Sequence, residues 1–199
     1  MKPMKMIATS LKTGLVLIGL LAAAGNSYAE TLSPLVDDFS RAEHNSLGNP
    51  RIFLNDSTSG GGTSTEQSVS AGILSVTGEI VPPRGQPGWA SSVLLLDPQG
   101  LARDASAYEG IRLLVKLNAG MLSVSANSTD IKNFDFHAAP VMVTADGAFH
   151  EVKIPFSSMK RAWSEQTTLN TKTIASLSIV AFGMQKSVVN FEVDEVAFY

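Results

Sequence analysis

Phe191-Glu192-Val193-Asp194-Glu195-Val196-Ala197-Phe198 and, much earlier, Ile73-Leu74-Ser75-Val76-Thr77-Gly78 are the stretches that decide the fold. In both, apolar and polar residues largely alternate. A period of two places one face of a strand on a core and the other toward water, as in an antiparallel sheet. Working outward, the chain shows further brief apolar or alternating runs at Leu35–Phe39, Arg51–Leu54, Gln67–Ser70, Trp89–Leu96, Ile111–Leu117, Leu122–Asn127, Phe136–Val143, Phe149–Ile154 and Ser176–Phe182. Gly, Pro, Asn, Asp and Ser separate them. Spacing of this kind is the signature of an all-β sandwich or barrel. Ile111–Val115 and Ile174–Phe182 are more evenly apolar, which predicts central strands covered on both sides. Only Ser157–Lys160 and Ser106–Gly110 offer a short turn of helix, the second ended by its glycine.

The N-terminus reads differently. Lys2, Lys5 and Lys12 precede the apolar run Leu15–Ala24, and Ser27-Tyr28-Ala29 follows it. This is the layout of a secretory signal peptide cleaved after Ala29, and its apolar run is about half the roughly 20 residues a spanning helix needs. Residues 30–199 then form one domain without a membrane anchor, periplasmic or secreted from a bacterial cell. The chain has no cysteine, so no disulfide staples the domain and its stability rests on core burial. Removal of the leader leaves 12 basic against 18 acidic residues, a formal charge of −6. An acidic chain whose one basic pair is Lys160-Arg161 is a poor match for nucleic acid or anionic membranes.

Several blocks resemble a known family. Val36-Asp37-Asp38-Phe39-Ser40-Arg41 and Gly60–Thr65 before the strand at Ile73 are similar to the opening of the NADH:ubiquinone oxidoreductase (complex I) intermediate-associated protein 30 family, and further on Gly88-Trp89-Ala90-Ser91-Ser92-Val93 resembles its glycine, aromatic and Ala-Ser pair. Asp104–Lys116 and Phe149-His150-Glu151-Val152-Lys153-Ile154-Pro155-Phe156-Ser157 resemble its two most recognisable blocks. The resemblance implies an antiparallel jelly-roll sandwich like galactose-binding domains and several carbohydrate-binding modules. It also implies a helper in complex I assembly with no catalytic site to carry across. An exported chain departs from that setting, so the fold transfers with better warrant than the role. Independently of the family, Tyr108-Glu109-Gly110 turns the chain into the strand at Ile111, Pro155 marks a strand end or edge, and Phe156 is placed to plug one end of the sandwich.

Candidate sites follow from residue types. His44, His137 and His150 lie in separate segments, with no metal-binding pair and no Gly-x-Ser-x-Gly elbow, so no enzyme is expected. Asp37-Asp38 and Asp194-Glu195 cannot act as glycosidase dyads, because neighbours in a strand face opposite ways. If the first and last strands pair, Asp37 or Asp38 would approach Asp194 and, with Asn190 or backbone carbonyls, begin an oxygen cage for a structural calcium; solvent-facing carboxylates or turn partners are the competing reading, since calcium takes six to eight ligands. No other cofactor is expected. The partner is either a protein, the leading reading, or a glycan. For a glycan, the candidate ligand-binding residues are Trp163, set in the polar run Lys160–Gln166, with Tyr108, Phe134 and His137; Trp89 opens an apolar strand and belongs inside. Ser59–Ser64 lacks the Lys-Ser/Thr ending of a phosphate loop and reads as a mobile loop or bulge. The signal reading predicts that the exported protein begins at Glu30, and intact-mass measurement of the periplasmic or secreted form checks it.

Overall fold

A computed structural model of the chain describes residues 31–199; the leader expected at 1–29 lies outside the described residues. Twelve strands build two antiparallel sheets. The first sheet runs β3 (Ser64–Ser70), β4 (Ile73–Ile80), β12 (Ser187–Phe198), β6 (Gly110–Ala119), β9 (His150–Pro155), and β1 (Leu35–Asp37) also pairs with β12. The second runs β10 (Lys160–Arg161), β8 (His137–Pro140), β7 (Met121–Ser128), β11 (Ile174–Gly183), β5 (Gly88–Leu95), β2 (Arg51–Asn55). The result is a jelly-roll β-sandwich. Among the described residues no helix is long and apolar enough to cross a membrane.

The alternation read in the sequence sets the layers. Leu74 and Val76 of β4, Phe191 and Val193 of β12, and Ile111, Leu113 and Val115 of β6 point into one core with Leu94 of β5, Leu122 and Val124 of β7, and Leu177 and Ile179 of β11. Phe156 closes one end, its ring 6.2 Å from that of Phe198. The edge strand β9 stops at Pro155, as its missing N–H requires. Gly110 leaves room for the neighbouring backbone: a Cβ there would lie 2.2 Å from the carbonyl oxygen of Ile154.

Strand β6 differs from the expectation of cover on both sides. Arg112 and Lys116 face outward, where Arg112 pairs with Glu195 and Glu151 and Lys116 with Glu192 at 2.6 Å. Among the described residues no third layer covers this sheet, so the outer positions of even a central strand stay partly wet.

The glycine-rich stretch is built around a buried carboxylate. A 3₁₀ turn at Asp56–Ser59 buries Asp56, whose carboxylate accepts from Thr63 N, Thr63 Oγ1 and Trp89 N at 2.8–3.1 Å. Gly61 is required because a Cβ would lie 2.2 Å from that carboxyl.

Strand β1 does pair with β12, Asp37 opposite Val196, but no calcium cage results. Asp37 is buried and takes Arg51 in a two-pronged ion pair, Nε to Oδ2 at 2.6 Å and Nη2 to Oδ1 at 2.8 Å, while Oδ1 also accepts from Phe39 N. Asp38 instead folds onto Ser40 and Ser46, and hydrogen bonds led by the Ser40 hydroxyl hold its carboxyl below the usual range. Asp194 joins neither. Among the described residues no three His, Asp or Glu side chains are grouped to hold a metal ion. The Asp37–Arg51 pair joins the two sheets at their open edge. Removing one member of a buried pair leaves an uncompensated charge, so Asp37→Ala should lower the unfolding free energy by about 3–5 kcal/mol in urea titrations. The double replacement Asp37→Leu, Arg51→Met should recover most of that loss.

Candidate functional site: the outer face of the second sheet

Strand alternation assigns one row of side chains per strand to the outer face of the second sheet. On β5 these are Trp89, Ser91, Val93 and Leu95; on β11, Ser176, Ser178, Val180 and Phe182; on β7, Ser123, Ser125 and Asn127. The register aligns them across the sheet: Ser178 lies between Val93 and Ser125, Val180 between Ser91 and Ser123, and Ser176 beside Asn127. The centre is thus a floor of hydroxyls. Ser91, Ser125, Ser176 and Ser178 face outward yet are no more than 7 % exposed, because larger side chains rise around them. Asn127 Nδ2 donates to Ser176 Oγ and Ser178 Oγ at 2.9 and 2.8 Å. Ser125 Oγ is buried without a hydrogen-bond partner, a costly state for a hydroxyl.

Aromatic residues bound the floor. At one end Trp89 of β5 lies opposite Phe182 of β11, which lies opposite Met121 of β7. Trp89 is half-buried on this outer face rather than inside the sandwich: the inward positions of its strand belong to Ala90, Ser92 and Leu94. At the other end Phe136 and Trp163 meet edge to face, centroids 5.2 Å apart and planes at 84°. Trp163 is 62 % exposed and Phe134 is 93 % exposed. Phe134 also holds a left-handed backbone, φ 62°, which costs a side-chain-bearing residue about 1–2 kcal/mol.

A buried ion pair holds this aromatic ledge. Asp135 carries no exposed side-chain surface and accepts Arg161 Nε at 2.8 Å, Phe136 N at 2.8 Å, and Ala162 N and Ser164 N at 3.0 Å. Arg161 reaches on to Asn133 Oδ1 and Thr167 Oγ1. Two loops, around Phe134 and around Trp163, thereby share one carboxylate. Burial alone would raise the Asp135 carboxyl; the donors from Phe136, Ser164 and Arg161 outweigh it and hold the group well below the usual carboxylate range.

Four candidate residues named from the sequence therefore separate. Trp163 and Phe134 stand together on the ledge. His137 is buried beneath it and is not an open ligand contact: Nε2 lies 2.7 Å from the Thr167 carbonyl oxygen, to which it donates, tying down the loop that carries Trp163. It lines a cavity of about 300 Å³ with Arg161, Asp130 and Asn170 at this end of the sandwich. Tyr108 lies elsewhere, stacked on Phe198 at 5.2 Å with its hydroxyl donating to the Leu32 carbonyl, so it closes the core. His150 bonds Asp146 at 2.8 Å, and among the described residues no histidine ring bonds a serine hydroxyl.

The profile of complex I intermediate-associated protein 30 matches residues 39–193. The chain belongs to that family. No curated protein matches the sequence. Among solved structures, this member of the complex I intermediate-associated protein 30 family is similar to the family 11 carbohydrate-binding module of the cellulosomal cellulase Lic26A-Cel5E of Clostridium thermocellum: 19 % identity, TM-score 0.59, covering 82 % of this chain and 92 % of that one. It is likewise similar to the Clostridium thermocellum family 11 module in complex with a β-1,3-1,4-mixed-linked tetrasaccharide, at 18 % identity and TM-score 0.58 over 83 % and 94 % of the two chains. The agarase AgWH50C matches over 82 % of this chain and 24 % of its own, at 8 % identity and TM-score 0.54. At such identities the likeness is one of fold.

The ledge's dependence on Asp135 can be tested by acid. A carboxyl held below its unfolded value stabilises the fold fully above about pH 4, and the contribution is lost as pH falls through the lower folded value. Asp135→Asn should therefore cost about 3–5 kcal/mol at neutral pH. It should also flatten the acid limb of the stability profile, measured by urea unfolding at stepped pH.

Proposed function

We propose that the protein is an exported, non-catalytic binding module that takes a neutral glycan along the outer face of its second sheet. The observation that carries this reading is the pair of aromatic groups that bound the face, Trp163 with Phe136 at one end and Trp89 with Phe182 at the other, about a floor of small polar side chains of which Ser123 and Asn127 are only half-buried. A sugar chain presents hydroxyls to such a floor and C–H faces to such rings, and both needs are met without charge. Phe134 supports the reading in a second way. A fully exposed phenyl in a left-handed conformation does nothing for folding, and strain of that kind clusters at ligand contacts. Likeness in fold to carbohydrate-binding modules, one of them in complex with a tetrasaccharide, is consistent with it.

The second reading is a protein-binding or assembly helper, favoured by the family's association with complex I intermediates. In that case the ledge is a docking surface for a protein side chain. Calorimetry and affinity electrophoresis against soluble neutral polysaccharides separate the two. Under the glycan reading Trp163→Ala weakens binding at least about tenfold, a loss of roughly 1.4 kcal/mol, without unfolding the domain. Phe134→Gly weakens binding while leaving the melting temperature unchanged or higher, because glycine accepts the left-handed backbone. Absence of binding across neutral β-linked and α-linked chains would move the function to a protein partner.

A further inference from the structure

A two-sheet sandwich has four lateral edges, and each exposes unpaired backbone N–H and C=O groups that can template another strand. Three of the four are guarded here. Edge strand β3 is polar but for Val69, which packs against the core, and it carries the exposed Glu66. Edge strand β9 presents Glu151, Lys153 and Pro155 to solvent. Edge strand β10 is two residues long, and its Arg161 N–H is taken by Gln166 Oε1 at 3.0 Å. The fourth is different. Strand β2 pairs with β5 alone, and its centre is Ile52, Phe53 and Leu54, which are 38 %, 42 % and 44 % exposed. It has no proline and no lysine. Its one charge, Arg51, is turned inward and neutralised by Asp37, with 2 % of its side chain exposed.

We propose that β2 is the interface of a homodimer, formed by antiparallel pairing with β2 of a second copy about a two-fold axis at Phe53. The free edge of a strand calls for another strand, and the chemistry of this one fits itself. Pairing about Phe53 sets Ile52 opposite Leu54, Phe53 opposite Phe53 and Arg51 opposite Asn55, so apolar side chains meet apolar ones and no like charges oppose. Two acidic domains can close on this line because the strand itself presents no free charge. The second copy also completes a surface. Ile52 and Leu54 share the outer face with Val93 and Ser91, so the pairing joins two six-stranded sheets into one twelve-stranded sheet whose outer floors run on across the axis. Each copy then supplies one wall residue pair to the other's face.

Sedimentation velocity over a concentration series tests the mass, and the lack of cysteine in the chain gives an independent reading of register. The purified protein should sediment at twice the chain mass, and Leu54→Lys, at a site already open to water, should halve it while circular dichroism stays unchanged. Under mild oxidation Phe53→Cys should link nearly all chains in pairs, since residues facing across an antiparallel ladder lie within disulfide reach. Val188→Cys, at a more exposed position on the first sheet, should link few. A wild-type protein that stays at single-chain mass across the series overturns the proposal. So does a dimer that persists undiminished in folded Leu54→Lys, or equal linking by the two cysteine variants.

Discussion

Among the described residues, two layers with nothing outside them are the constraint on which the rest of this structure depends. Each sheet can bury only one face, so every strand is obliged to divide its side chains between core and surface. On the first sheet the outer face answers with ion pairs, Arg112 with Glu195 and Glu151, Lys116 with Glu192. The second sheet answers with small hydroxyls and rings. Those two outer faces rest on the same core.

With no disulfide available, long-range ties are made by buried polar groups. Asp37 with Arg51 binds β1 to β2 across the sandwich edge, Asp56 gathers the glycine turn and the start of β5, and Asp135 with Arg161 gathers the ledge. Each is a carboxylate whose oxygens are satisfied by several donors, the condition under which burying a charge is tolerable. Such ties are unforgiving of single substitutions but tolerate exchange of the whole set, which distinguishes them from apolar packing.

Most of the strands were legible in the sequence because alternation is a local signal. The run at Ile73 became β4, and that at Phe191 became β12, with cores at Leu74, Val76, Phe191 and Val193. Family blocks at 104–116 and 149–157 landed on β6 and β9, neighbours in one sheet. What alternation could not convey was which face a mixed strand presents. Trp89 reads as interior beside Ala90 and Leu94, yet parity puts it outside. The serines of β5, β7 and β11 are ordinary strand residues in the sequence until three strands place theirs side by side. Tyr108 and His137, polar and aromatic enough to suggest a ligand, are consumed by Leu32 and Thr167, partners 76 and 30 residues away. Asp37, which in the sequence stood between an oxygen-cage candidate and a plain carboxylate, is taken by Arg51, a partner 14 residues away across a loop.

The ledge has one further property. Phe134 is flanked by Asn133 and Asp135, and Trp163 by Ala162 and Ser164, and every one of those four flanking residues is fixed within the Asp135–Arg161 network. The two projecting rings are therefore mounted like interchangeable bits in a clamped holder. Replacement of either ring leaves every hydrogen bond of that holder in place, so the tips can be varied without drawing on the stability stored in it.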